Sequence, residues 1–260
     1  MNEQLTMVPV DTRPQPDNYH DRTGHILEPK NSKVYSQLLK TEEFAVQNKM
    51  KINYSKTKMI VFNPSKAKDF QPKFELSNNL VEVVEESKLL GVVISSDLSW
   101  SANTSYMISR ANKKLWFLRR LKALGAEDED LKEVYIKQIR SILEYAVPVW
   151  HSSLTVGDSM AIERIQKSAL RIILSQRYHS YSEALGYLDI EPLYLRRNSL
   201  CIKFARKCLS SNKFSKWFKP EKKITITRQQ NKKFCIVFSR TVRYNKGPVS
   251  YLTNLLNNLK

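Results

Sequence analysis

Lysine and arginine side chains lined up without acidic neighbours are the residues of this chain whose spacing could do chemistry. Stepping 100° per residue from Tyr106 to Leu124 places Arg110, Lys113, Lys114 and Arg120 on one arc of a helix, and Met107, Ile108, Ala111, Leu115 and Leu118 on another. The segment Ile162 to Leu174 repeats the division, with Arg164, Lys167 and Arg171 opposite Ile162, Ile165, Ala169, Ile172 and Ile173. A solvated helix face normally interleaves Glu and Lys at i,i+4, because like charges there repel by a few tenths of a kcal/mol per pair. A bare cationic stripe calls for anions from a partner, although a merely solvated face is the competing reading for either helix alone. From Lys213 to Lys246 eleven Lys or Arg, among them Lys232 and Lys233, stand against the single acid Glu221, a net +10. Phe214, Trp217, Phe218, Phe234, Phe238 and Tyr244 interleave with them. Cations neutralise phosphates and aromatic faces stack on unpaired bases, but the same rings could pin the segment to a core.

The whole composition points the same way. The 260 residues carry a formal charge of +18, which favours a polyanionic partner, nucleic acid ahead of an anionic membrane surface. The sequence holds no apolar run long enough to span a membrane and no secretory start, so an intracellular protein, nuclear or cytoplasmic and not secreted, is expected. Cys201, Cys208 and Cys235 are odd in number and thinly spread, which argues against a disulfide framework. Cys201 and Cys208 share a helical apolar side with Leu200 and Phe204, so buried thiols are expected. His20, His25, His151 and His179 show no zinc spacing with them, and no metal site is read.

The elements that must position these residues follow from punctuation and period. Residues 1–33, with Pro9, Pro14, Pro16, Gly24 and Pro29, read as a loop or disordered leader. A helical spacing runs from Val34 to Met50. Met59–Phe62, Leu80–Val84 and Leu89–Ile94 are short apolar or alternating runs that read as strands. Capping residues occur over Asp97–Ser101, and from about Asn103 the chain reads as helical almost throughout. Pro148 is expected to break the helix before it and leave an extended or turned exit carrying Trp150. Glu127–Asp130 reads as an acidic helix start rather than a metal cluster.

Six segments in order carry a resemblance. Asn53-Tyr54-Ser55-Lys56-Thr57 precedes an apolar run; Lys88-Leu89-Leu90-Gly91-Val92 follows; then come Leu143-Glu144-Tyr145-Ala146 through Trp150, Glu163 through Gln166-Lys167-Ser168-Ala169-Leu170-Arg171, Leu185 through Leu193-Tyr194-Leu195-Arg196-Arg197, and Arg243-Tyr244 through Leu252. Over residues 40 to 260 the chain resembles the C-terminal part of a non-LTR retrotransposon (LINE- or jockey-like) reverse transcriptase, the end of the palm plus the thumb. The resemblance implies an α+β fold: a small antiparallel palm-remnant sheet over 34–100 with a primer-contacting hairpin, a helical thumb over 101–211, and a basic C-terminal extension over 212–260. It implies RNA, DNA or an RNA–DNA hybrid as partner, gripped through Lys88, Leu90, Gly91 and the basic residues above together with Arg196 and Arg197.

It also makes Lys56 a candidate to protonate or stabilise a departing pyrophosphate, since an ammonium supplies a proton where charge builds. A simple turn lysine is the alternative. Gly91 would let backbone approach a primer, or is only a hairpin glycine. The family's aromatic-Ala-Asp-Asp box is expected upstream of such a chain. Two-metal nucleotidyl transfer needs paired carboxylates, which Asp11, Asp17 and Asp21 in the proline-rich leader do not form. The expectation is therefore a non-polymerising fragment, with Mg²⁺ belonging to the complete polymerase. The alternatives are a stand-alone, non-catalytic nucleic-acid-binding protein derived from such an element, and a helical protein-interaction module meeting an acidic protein.

Overall fold

The computed structural model describes residues 33–62, 75–76, 79–220, 233–236 and 241–259. The leader up to residue 32, Lys232 and much of the basic extension lie outside the described residues. The fold is α+β, mainly helical with small two-stranded sheets. The chain divides into two compact units, one up to Leu98 and one from Ser99 onward.

The first unit begins with α1 (Lys33–Gln47). Its Leu38 packs, with Ile52, Tyr54 and Met59, around the buried Val81. Strand β1 (Lys58–Met59) pairs with β4 (Glu82–Val83), and between them β2 (Glu75–Leu76) pairs with β3 (Asn79–Leu80). β5 (Glu86–Leu89) and β6 (Val92–Ser95) form a separate hairpin. The expected all-antiparallel sheet is thus three separate pairs, of which β1–β4 is parallel. A hairpin intervenes between β1 and its partner, so the chain returns in the same direction. The expected strand Leu89–Ile94 is broken by its own turn: Leu90 and Gly91 have φ of 47° and 85°, the mirror-image turn that suits a two-residue hairpin.

The second unit is helical. α2 (Ser101–Ala123) ends at Gly125, whose φ of +86° is the left-handed geometry that closes many helices. α3 (Asp128–Val134) continues through a π-helical stretch, Tyr135–Arg140, into α4 (Ser141–Leu143). The Ser141 hydroxyl donates to the Lys137 carbonyl at 2.6 Å, an acceptor within the wider turn. Pro148 does not leave an extended exit. Ala146 turns the chain at φ 53°, and Pro148 sits in the first turn of α5 (Val147–Trp150), where a missing N–H costs nothing. α6 (Val156–Leu174), α7 (Tyr181–Tyr187), α8 (Leu193–Leu209), α9 (Val242–Asn245) and α10 (Pro248–Asn257) complete the unit.

α2 and α6 run parallel. Their starts meet where the Ser101 hydroxyl donates to Asp158 at 3.0 Å, and their ends meet where Asp128 pairs with both Lys122 and Arg177. The core joins Met107, Ala111, Leu115 and Leu118 of α2 to Ile162, Ile165, Ala169, Leu170 and Ile173 of α6, with Leu131, Tyr135, Leu143 and Trp150 fully buried beside them. Phe218, Leu252 and Leu256 are buried in that same core, and Phe214 and Phe234 pack against it. The described aromatics of the C-terminal segment thus largely serve packing, with Trp217 and Tyr244 left exposed. Cys201 and Cys208 are buried thiols, as expected. No helix among the described residues is long and apolar enough to cross a membrane.

Candidate nucleic-acid interface

The outward stripe of α6 is where the sequence placed it. Arg164 and Arg171 are exposed, Lys167 is half-buried, and the opposite arc, from Ile162 to Ile173, is core. Two of the three cations lie over tyrosine rings: Lys167 Nζ is 4.9 Å from the Tyr181 centroid and the Arg171 guanidinium 5.2 Å from that of Tyr178. Arg177, just beyond the helix, lies 5.7 Å from the Tyr187 ring. Among the described residues no carboxylate forms an ion pair with Arg164, Lys167 or Arg171. On α2, Arg110, Lys113, Lys114 and Arg120 are exposed and likewise form no ion pair among the described residues. Cation–ring contacts of this length are worth about 0.5–1 kcal/mol at exposed sites, so they orient the cations without neutralising them.

Arg196 and Arg197 were expected on a phosphate-contacting surface, and the structure corrects that for Arg197 and engages Arg196 elsewhere. Arg197 is fully buried, 0 % exposed. Its Nη2 donates to Ser159 Oγ at 2.7 Å and its Nε to His151 Nδ1 at 3.3 Å, while Nη1 has no partner. Burial lowers its pKa, since desolvation disfavours the cation. Arg196 grips Glu144 with two bonds, Nε to Oε1 at 2.5 Å and Nη2 to Oε2 at 3.1 Å. That carboxylate raises the arginine's pKa, and Arg140 approaches the same oxygen at 3.8 Å. A helical count reveals Arg197 in retrospect, because Leu193, Arg197, Cys201 and Ala205 form one i,i+4 row and the other three are buried.

The residues around these arginines form a polar interior that periodicity did not reveal. Gln166, fully buried, accepts from the Tyr135 hydroxyl at 2.5 Å and donates to Tyr181 Oη at 2.8 Å and to the Glu191 carbonyl at 3.1 Å. The Tyr181 hydroxyl donates to Glu163, which also accepts from the Leu193 N–H. Burial raises the pKa of Tyr135 and Tyr181, the latter helped by its bond to Glu163. His151 Nε2 meets Asn198 Oδ1 at 2.8 Å, and the Tyr251 hydroxyl donates to the same oxygen at 2.7 Å. With Arg197 donating to Nδ1, the imidazole is neutral with its proton on Nε2, and burial lowers its pKa from 6.5. Burial pushes the Cys201 thiol up to about 12, so it is inert.

In the first unit, Asn53 caps the 3₁₀ turn Tyr54–Lys56 by accepting the Lys56 N–H at 3.2 Å, and the Thr57 hydroxyl donates to the Asn53 carbonyl at 3.0 Å. The turn therefore uses the side chains of Asn53 and Thr57 but only the backbone of Lys56, whose side chain is exposed. Lys88 is exposed on β5. Leu90 is 81 % exposed at the hairpin tip in a left-handed conformation that a leucine rarely adopts, next to Gly91. Lys233 is exposed; Lys232 lies outside the described residues. Among the described residues no three His, Cys, Asp or Glu side chains gather in a metal-holding group; Asp128–Asp130 form the first turn of α3.

Compared with family models, with curated proteins and with solved structures, the chain matches none.

Proposed function

We propose that this chain grips nucleic acid, RNA, DNA or a hybrid of the two, and that it is the palm end and thumb of a non-LTR retrotransposon reverse transcriptase. The observation that carries the first part is the outward face of α6, where three cations stand opposite a buried arc with no carboxylate paired to them among the described residues. A polyanion gains their charge without breaking an internal ion pair, and it releases counterions on contact.

Support for the second part comes from partners. Segments that resemble the family in sequence meet in space: Glu144 holds Arg196, and Gln166 reaches the backbone of Glu191 within the Leu185–Arg197 segment. In the first unit the Asn53–Thr57 pattern is accounted for by one turn that leaves Lys56 free to act at a leaving phosphate in a complete polymerase. The tip of the β5–β6 hairpin offers Leu90 and Gly91 to a primer in this reading. The stand-alone binding protein shares the first part of the proposal and differs only in having no polymerase partner.

The test is binding of RNA, DNA and hybrid duplexes over a salt series. With about six phosphate contacts on a duplex, log K falls against log salt with a slope of roughly −5, at about −0.9 per contact. Replacing Arg164, Lys167 and Arg171 together with glutamine makes the slope shallower by about 3 and lowers stability by about 1–2 kcal/mol through the loss of two cation–ring contacts. Truncation after Asn212 is not a usable alternative, because it would remove Phe218, Leu252 and Leu256 from the core at about 1.5–3 kcal/mol each. No affinity for any nucleic acid at low salt would overturn the proposal in favour of an acidic protein partner.

A further inference from the structure

The outer face of α2 differs from that of α6 in holding large aromatics that the core does not use. Trp116 is 62 % and Phe117 44 % exposed, and neither belongs to the buried core. They alternate with cations at helical spacing: the Arg110 guanidinium lies 5.6 Å from the Tyr106 ring and that of Arg120 5.9 Å from the Trp116 ring, with Lys113 between. α2 contains Arg110, Lys113, Lys114, Arg119, Arg120 and Lys122 and no Asp or Glu. From Tyr106 to Arg120 this ladder extends about 21 Å, at 1.5 Å per residue.

An exposed tryptophan and phenylalanine amid uncompensated positive charge ask for a partner that brings negative charge and flat apolar surface together. A duplex brings phosphates but keeps its base faces stacked inside. An acidic peptide brings charge without regular planar faces. A single strand brings both, since unpaired bases stack on aromatic rings and on guanidinium planes while the backbone meets the cations. We propose that the outer face of α2 binds single-stranded nucleic acid, with Trp116 as its main stacking platform and Arg110, Lys113 and Arg120 on the phosphates. This rests on the reading of the helical unit as a nucleic-acid grip and assigns it a second face with a different substrate class.

The experiment compares an unstructured oligonucleotide of about 12 nucleotides, within the usual range of single-strand site sizes, with its duplex, by fluorescence anisotropy on the full chain. Trp116→Ala is expected to weaken single-strand binding about tenfold, the low end of the effect of removing one stacking ring, and Trp116→Phe to restore most of it. Duplex affinity, the salt slope and the thermal midpoint stay as in the parent, because Trp116 lies outside the core. Equal weakening of single strand and duplex, or no change in either while the parent binds both, overturns this inference and leaves the α6 grip standing. Failure of the parent chain to bind any nucleic acid overturns both.

Discussion

The outer face of α6 and the start of α8 carry the same side chains in opposite circumstances. Arg164, Lys167 and Arg171 face outward, the last two over tyrosine rings, whereas Arg196 and Arg197 are enclosed by Glu144, Ser159 and His151. A cation's role is set by what shares its helical arc. On α6 the cations lie opposite Ile162, Ile165 and Ala169; on α8 Arg197 lies in line with Leu193 and Cys201. Arginine suits both settings because its guanidinium can make several bonds in a fixed plane and remains charged. Inside, it bonds α8 to Glu144, His151 and Ser159; outside, it forms no ion pair among the described residues.

Breaking the enclosed set should have the larger effect. Glu144→Ala leaves Arg196 and Arg140 without their shared carboxylate and is expected to cost about 3 kcal/mol in urea denaturation, as for other largely buried pairs. If it costs no more than the triple replacement on α6, the two sets of cations are not different in kind. Tyr181 belongs to both regions, its ring beneath Lys167 and its hydroxyl bonded to Glu163 and Gln166. Tyr181→Phe removes only the interior bonds and should lower stability by about 1–2 kcal/mol while leaving nucleic-acid affinity unchanged. Tyr181→Leu removes the ring as well and should also alter affinity, so a matching loss of affinity in both variants would break the division.

The smallest effect concerns pH. His151 has its pKa lowered by burial and is flanked by Arg197, Asn198 and Tyr251. Well above pH 6.5 the imidazole is neutral in folded and unfolded chains alike, and its contribution is complete. As pH falls below that value the unfolded chain takes up a proton that the folded chain does not, so stability declines until the lowered folded pKa is passed. The midpoint of urea unfolding measured from pH 8 to 5 should show this slope, and His151→Gln should flatten it.

Much of the helical unit was legible because amphipathic periodicity reports which face is buried, as in the arcs of α2 and α6 and the two buried thiols of α8, while the acidic start of α3 follows from the helix dipole. The interior network was not. Gln166, Glu163 and Tyr135 are bound by partners 15 to 31 residues distant, and no local pattern encodes such pairings. In the first unit β1, β3 and β4 overlap expected runs, but β2 does not and the expected strand Leu89–Ile94 contains a turn; pairing direction depends on the connections between strands. The sequence marks a break near Pro148 and the chain does turn just before it, at Ala146, but Pro148 opens a helix instead of an extended exit, because the missing N–H that ends one helix can begin another.

The meeting of Ser101 with Asp158 has an electrostatic consequence. Because α2 and α6 run the same way, their peptide dipoles add instead of cancelling, and each helix start presents roughly half a positive charge. One carboxylate, Asp158, stands at both starts: it lies in the first turn of α6 and accepts the hydroxyl of the first residue of α2. α2 has no acidic residue of its own there. A single aspartate is therefore the shared counter-charge of two aligned dipoles, and α2 obtains from another segment of the chain what its own sequence does not supply.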